Sequence, residues 1–132
     1  MDWFPRVFEV PLIAFLGAVP VDVHDPAAGL SFVVTENTLN AAKALHGGVL
    51  GTVLDLAAYL SVIPTLGRGE QAVTHAISAS YLSGSEVGET LVARGELLRR
   101  TRRLAFSSAS VTAGDRLIAT ASVTKSILGP DR

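Results

Sequence analysis

The hydrophobic pattern of this chain changes period near its middle. Between Gly47 and Leu66 the apolar residues Val49, Leu50, Val53, Leu54, Ala57 and Leu60 recur at helical spacing. Ala58, Val62 and Ile63 extend the apolar surface nearly all the way round, which predicts a buried helix over 48–62. Pro64 and Gly67 end it. Downstream the pattern turns strand-like in four runs, about 71–83, 89–100, 103–113 and 116–127. The turn signals between them are Ser83-Gly84-Ser85, Arg100-Thr101-Arg102 and Ala113-Gly114-Asp115. Such short connections predict hairpins and antiparallel neighbours. Upstream, residues 7–16 read as a short helix or turn carrying Phe8, Leu12, Phe15 and Leu16. Two further strands, 18–24 and 29–35, flank the loop Asp25–Gly29; in the second, Leu30, Phe32 and Val34 alternate with Ser31, Val33 and Thr35. Residues 36–46 are polar and irregular, and nothing resembles a repeat or a linker. The expectation is a single α+β domain over residues 1–132: one long helix against a curved antiparallel sheet of about six strands.

Composition sharpens this picture. Of the 132 residues 48% are hydrophobic and only 17% charged, a low share for a small domain, so a second subunit is expected to cover part of the surface. The net charge of -1 supplies no field for nucleic acid. The chain has no cysteine, which excludes disulfides, thiolate zinc sites and a cysteine nucleophile, and fits the cytoplasm. The apolar stretch Val10–Val21 lacks a net positive leader and is bracketed by Pro11 and Pro20, unlike a signal peptide. Gly47–Leu66 is long enough to span a bilayer. Asp55 near its centre would cost about 2.5–3.5 kcal/mol there, which favours a helix buried in protein.

Asp55 is the only charged residue between His46 and Arg68. A carboxylate on an apolar helix is costly unless it is paired or hydrogen-bonded, and no base lies close in sequence. It reads either as part of a solvent-facing stripe with Thr52 and Tyr59 or as a general base or nucleophile. His46-Gly47-Gly48 opens the helix, where bare N–H groups at the positive end of the dipole suit an oxygen gaining negative charge. Glycines that merely relieve sterics at a loop–helix junction are the plainer reading. Gly47 and Asp55 are eight positions apart, about 12 Å of helix rise. Groups acting on one carbonyl each lie about 3 Å from it. If both features are catalytic, the site is shared across a two-fold axis, with the helix start from one subunit and Asp55 from the other.

The stretch from Asn40 through His46-Gly47-Gly48 to Asp55 resembles the signature of hot-dog thioesterases of the phenylacetate-pathway type. The resemblance runs from about Leu12 to Ile127, through Val73-Thr74, Tyr81-Leu82-Ser83, Gly88-Glu89, Leu104-Ala105-Phe106 and Thr124-Lys125. It departs at Lys43, where relatives usually have glycine, and at Gly84, where many have proline. The resemblance implies a hot-dog fold, hydrolysis of an aryl- or medium/long-chain acyl-CoA, and a dimer or dimer of dimers. It implies that Asn40 and the Gly47 N–H hold the thioester carbonyl, with His46 beside them. Asp55 would activate water or attack directly, and Thr74 would orient the water. It implies no metal and no cofactor beyond the coenzyme A of the substrate.

The cluster Arg99, Arg100, Arg102 and Arg103 is a candidate grip for coenzyme A phosphates, or else a solvated turn that protects strand edges; Gly48 at the helix start is a further substrate-binding candidate. It is a poor nucleic-acid footprint, having no interleaved aromatics. His24 and His75 show no metal-ligand spacing. Two rival functions are a non-catalytic acyl-CoA sensor and another hot-dog enzyme such as an enoyl-thioester hydratase. The joint presence of Asn40, His46 and Asp55 argues against the first, and the missing Asp/His arrangement of hydratases against the second.

Overall fold

The computed structural model describes residues 3–130. Two short helices, α1 (Trp3–Phe8) and α2 (Pro11–Leu16), stand where one helix or turn was expected over 7–16. Pro11 sits in the first turn of α2, where its missing N–H is harmless, and Gly17 at φ 71° ends it. Trp3, Phe8, Ile13 and Leu16 close one side of the core.

The first two strands, β1 (Val19–Pro20) and β2 (Leu30–Val33), are shorter than the expected 18–24 and 29–35. Pro20 has no N–H to carry the ladder onward. Beyond it, the Asp22 and Asp25 carboxylates accept from the His24 and Ala27 N–H groups (2.8 and 3.0 Å), turning the chain instead of extending it. The long helix, α3 (Gly47–Val62), and the strands β3 (Gln71–Tyr81), β4 (Thr90–Arg100), β5 (Leu104–Ala113) and β6 (Arg116–Leu128) follow the sequence periodicity to within a few residues.

The six strands form one antiparallel sheet in the order β1-β2-β4-β5-β6-β3. This corrects one expectation: β3 is no hairpin partner of β4 but lies at the far edge, paired with β6. The connection runs across the end of the sheet. The Leu82 and Ser83 N–H groups donate to the Ile118 carbonyl (2.8 and 3.2 Å), and the Ser85 carbonyl accepts from Leu45 N–H (3.2 Å). Glu89 then staples its far end, accepting from Glu86 N–H (2.8 Å) and from Arg116 (2.7 Å). The Glu86 N–H, and after it Arg116, holds the Glu89 carboxyl below the usual carboxylate range.

α3 packs chiefly on β4 and β5. A methyl group at Gly95 on β4 would collide with the Ala57 carbonyl, so the bare backbone there lets helix and sheet touch. Val53, Leu54 and Leu60 are fully buried, each worth about 1.5–3 kcal/mol. The buried Ser61 hydroxyl is satisfied by the Ala58 carbonyl (2.6 Å) and Ser107 (3.1 Å). The helix and its 3-10 extension to Thr65 are long and apolar enough to cross a membrane, yet Val53, Leu54, Ala57, Ala58 and Leu60 are buried against the sheet. It is not covered all round, however: Thr52, Asp55, Leu56 and Tyr59 remain half-buried. Beside that stripe, β3 is exposed along nearly its whole length.

The segment before α3 is a tight turn. Asn40 N–H donates to the Ala44 carbonyl (2.7 Å), and Lys43 N–H donates to the Asn40 carbonyl (2.9 Å). Lys43 takes φ 63°, a left-handed conformation that explains why glycine suits this position and lysine is strained in it. Lys43→Gly is expected to raise stability by about 0.5–1 kcal/mol, since relief of strain exceeds the added chain entropy. Urea unfolding at equilibrium measures this, and an unchanged or lower midpoint would contradict it.

Candidate active site

The residues singled out from sequence gather at two places along α3. At its start His46 is the N-cap, in extended conformation, and its Nδ1 accepts from Gly48 N–H (2.8 Å). That bond leaves the ring proton on Nε2, so the exposed edge of His46 is a donor. The same bond commits the Gly48 N–H to His46. Gly47 differs, for its N–H makes no hydrogen bond among the described residues. A Cβ on Gly47 would stand 2.9 Å from Tyr81 Cε2, so glycine is required where that ring crosses the helix start. The Tyr81 hydroxyl donates to the Gly47 carbonyl (2.9 Å), tying β3 to the first turn. Sequence reading did not assign Tyr81 this role.

Asn40 is fixed by its own turn. Its Oδ1 accepts from the Ala42 and Ala44 N–H groups (2.9 and 3.1 Å). The amide orientation is thereby settled, and the Nδ2 hydrogens have no acceptor among the described residues. Asn40 and Gly47 line one cleft of about 410 Å³ together with Leu50, Tyr81 and Ser83. Two unused donors, an amide N–H₂ and a helix-start N–H, thus border one cavity. This is an arrangement for an oxygen carrying partial negative charge. Lys43 lines a neighbouring cleft that also includes Asn40.

The second place is Asp55. Its Oδ1 accepts from the Thr74 hydroxyl (2.6 Å) and from Lys125 Nζ (2.9 Å). Lys125 Nζ also donates to Thr74 Oγ1 (2.9 Å) and lies 5.6 Å from the centre of the Tyr59 ring. The Lys125 side chain is only 3% exposed, whereas that of Asp55 is 36% exposed, on the uncovered stripe of α3. Asp55 therefore has the partner that its neighbours in sequence did not supply, brought from β6. A signal was present: Ala121, Val123, Lys125 and Ile127 alternate on the inward face of β6, so a lysine occupies an apolar slot. Such a cation needs an anion or a hydrogen-bonding cage. The two places remain separate within one chain: neither Asp55 nor Thr74 lines the Asn40–Gly47 cleft.

The arginine cluster divides. Arg100 is engaged within the fold. Its guanidinium bonds Glu70 (2.7 Å), the Thr65 hydroxyl (3.1 Å) and the carbonyls of Thr101 and Arg102, so it holds the end of α3 to the β4–β5 turn. Arg99, Arg102 and Arg103 are exposed and form no ion pair among the described residues. His24 and His75 are exposed, and among the described residues no group of His, Asp or Glu could hold a metal ion.

The family described as the thioesterase superfamily matches residues 42–120, which include His46, Gly47, Asp55 and Thr74. Human acyl-coenzyme A thioesterase 13 is 33% identical over 94 residues, 70% of this chain and 66% of its own length. The chain thus matches slightly under two thirds of that relative. A phenylacetic acid degradation-related protein from Ralstonia eutropha JMP134 superposes with a TM-score of 0.80 at 27% identity, over 95% of this chain and 99% of its own. A thioesterase-type protein of Streptococcus pneumoniae TIGR4, solved with coenzyme A, superposes with a TM-score of 0.70 at 26% identity, over 78% and 79% of the two chains. The family match over more than half the chain, and a helix-in-sheet fold shared with these structures, place this protein in the thioesterase superfamily, with the hot-dog fold of the phenylacetate-degradation type.

Proposed function

We propose that this chain is an acyl-CoA thioesterase whose active site assembles from two subunits. The observation that carries the reading is the separation of complementary chemistry along α3. Unused donors of Asn40 and Gly47 stand at its start, and a clamped carboxylate, Asp55, stands about 12 Å further on. Two antiparallel copies of α3 side by side bring one set against the other twice over.

The edge strand supports such a dimer. β3 is 11 residues long, lacks Pro, Lys, Asp and Glu, and exposes Val73 and Ile77. Monomeric proteins blunt such edges with charge, proline or bulges, and this one has only a single register shift between Thr74 and Ala76. Pairing β3 with β3 of a second copy satisfies its open ladder and covers the stripe of α3 that carries Asp55. Burial at that interface also accounts for the low share of charged residues. A dimer of dimers is consistent with the same surface composition.

In the assembled site the thioester carbonyl oxygen accepts from Gly47 N–H and Asn40 Nδ2. A water oxygen attacks the carbonyl carbon while its proton passes to Asp55 of the partner subunit. The tetrahedral oxyanion is held by the two donors and collapses, breaking the C–S bond. The coenzyme A thiolate leaves beside the Nε2–H edge of His46 and takes a proton from solvent, and Asp55 returns its own proton to solvent. In the alternative route Asp55 attacks first, expels the thiolate as an acyl anhydride forms, and water then cleaves that anhydride. Both routes use the same carboxylate. The acyl group falls in the aryl or medium/long-chain class, and a panel of both resolves it.

Asp55→Asn is expected to fold, because Asn Oδ1 can still accept from Thr74 and Lys125. Its turnover should fall by about 10²–10⁴ while KM changes little. Its Tm should fall somewhat, since Lys125 loses an anionic partner. Turnover within a few-fold of the parent would remove Asp55 from the chemistry. The shared site has its own test. Coexpressed Asp55→Ala and Asn40→Ala chains should form heterodimers with one doubly damaged site and one intact site, more active than either parent. Heterodimers confirmed by mass spectrometry yet as inactive as the parents would refute the assignment to opposite subunits. For the arginines, Ala at Arg99, Arg102 or Arg103 should raise KM for coenzyme A thioesters and leave kcat nearly unchanged. Arg100→Ala should instead lower Tm. An unchanged KM in the three exposed variants would assign the cluster to solvated surface.

A further inference from the structure

We infer that Lys125 is the positioning residue of the reaction, acting through Asp55 and Thr74 to decide which carboxylate oxygen is reactive. The inference rests on the thioesterase reading above. Lysine can only donate, so at Thr74 Oγ1 the Lys125 ammonium donates and the threonine proton is directed elsewhere. Its acceptor is Asp55 Oδ1, which also receives Lys125 directly. One oxygen of the carboxylate therefore takes two donors, one of them a full cation. The other, Oδ2, makes no hydrogen bond among the described residues. An oxygen with two donors is a poor base and a poor nucleophile, so Oδ2 is the oxygen left to act. The triangle of Lys125, Thr74 and Asp55, with sides of 2.9, 2.6 and 2.9 Å, also stops the carboxylate from rotating and exchanging its two oxygens.

Lys125 itself does not reach substrate. It is 3% exposed, its ammonium is engaged on two sides, and the Tyr59 ring lies against a third. The cation is therefore built into the sheet, where β6 cannot swing it away, and it serves the site only through the two groups it touches. Thr74 is correspondingly more than a water ligand. Its proton is used on Asp55, and only an acceptor lone pair remains for a water hydrogen.

The test combines single and double variants in the full-length protein, assayed on a panel of aryl- and fatty acyl-CoA thioesters. Lys125→Met removes the cation and keeps the packing volume. It should lower kcat by about 10- to 100-fold with little change in KM, as loss of carboxylate orientation misplaces a reacting oxygen. Lys125→Arg keeps the charge and should recover part of that loss, and it serves as the working variant should Lys125→Met fail to fold. The decisive measurement is the double variant. In an Asp55→Asn background Lys125 has no reactive carboxylate to orient, so Lys125→Met or Lys125→Arg should lower single-turnover rates no further. A purely structural lysine would lower the rate by the same factor in both backgrounds, and that outcome overturns the inference. So does a Lys125→Met enzyme within twofold of the parent, while leaving the hydrolase reading intact. A parent protein inert on every thioester of the panel would overturn the hydrolase reading and this inference together.

Discussion

A helix that is apolar on nearly every side must be covered on nearly every side, and most of this structure follows from that constraint on α3. The sheet curves around the helix, and Gly95 lets the two backbones meet at Ala57. Leu54, Leu60 and Val53 are removed from water completely. Six strands of one chain still leave a stripe through Thr52, Asp55 and Tyr59 half-covered. The exposed edge of β3 runs beside it. In the dimer proposed above, the surface that the fold leaves uncovered is the one a second copy covers.

The candidate groups lie along that half-covered border. At one end they are set by the backbone: a helix start without side chains, an N-cap histidine that fixes its own tautomer, and an asparagine amide locked by its turn. At the other end they are side chains: a carboxylate held by a hydroxyl and a buried ammonium from two strands. Neither half reaches the other within one chain. A carboxylate placed on the covered side of α3 would have been desolvated and excluded from water, whereas on the stripe Asp55 is clamped through one oxygen and remains 36% exposed. Packing thus leaves uncovered the one stripe of α3 that carries a clamped carboxylate.

Much of this was legible in the sequence because it depends on local periodicity. The bounds of α3 and of β4, β5 and β6 fall within a few residues of those expected, since 3.6- and 2-residue periods record directly which faces meet the core. Asp55 and Thr74, Asn40 and Gly47 could be nominated because unusual residue types stand at conspicuous points of those periods or match a family signature. The failures share a cause of the opposite kind. Ser83-Gly84-Ser85 looks the same whether it closes a hairpin or begins a crossing to another part of the sheet, so the placement of β3 beside β6 was hidden. Arg100 looked like its exposed neighbours until Glu70 and Thr65 were brought to it.

By itself, then, the sequence determined the kinds of element, the bounds of the long helix and the last four strands, and the identity of most candidate groups, because each is a property of residues close together in the chain. Tertiary structure alone decided strand order, the exposure of β3 and the engagement of Arg100 by Glu70 and Thr65. It also decided the partner of Asp55. Lys125 lies far along the chain on another strand, and only the pairing of β3 with β6 places its ammonium at 2.9 Å from both Asp55 Oδ1 and Thr74 Oγ1. The period of β6 marks Lys125 as a cation in an apolar slot, but which anion meets it depends on distance in space, and that carries no period along the sequence.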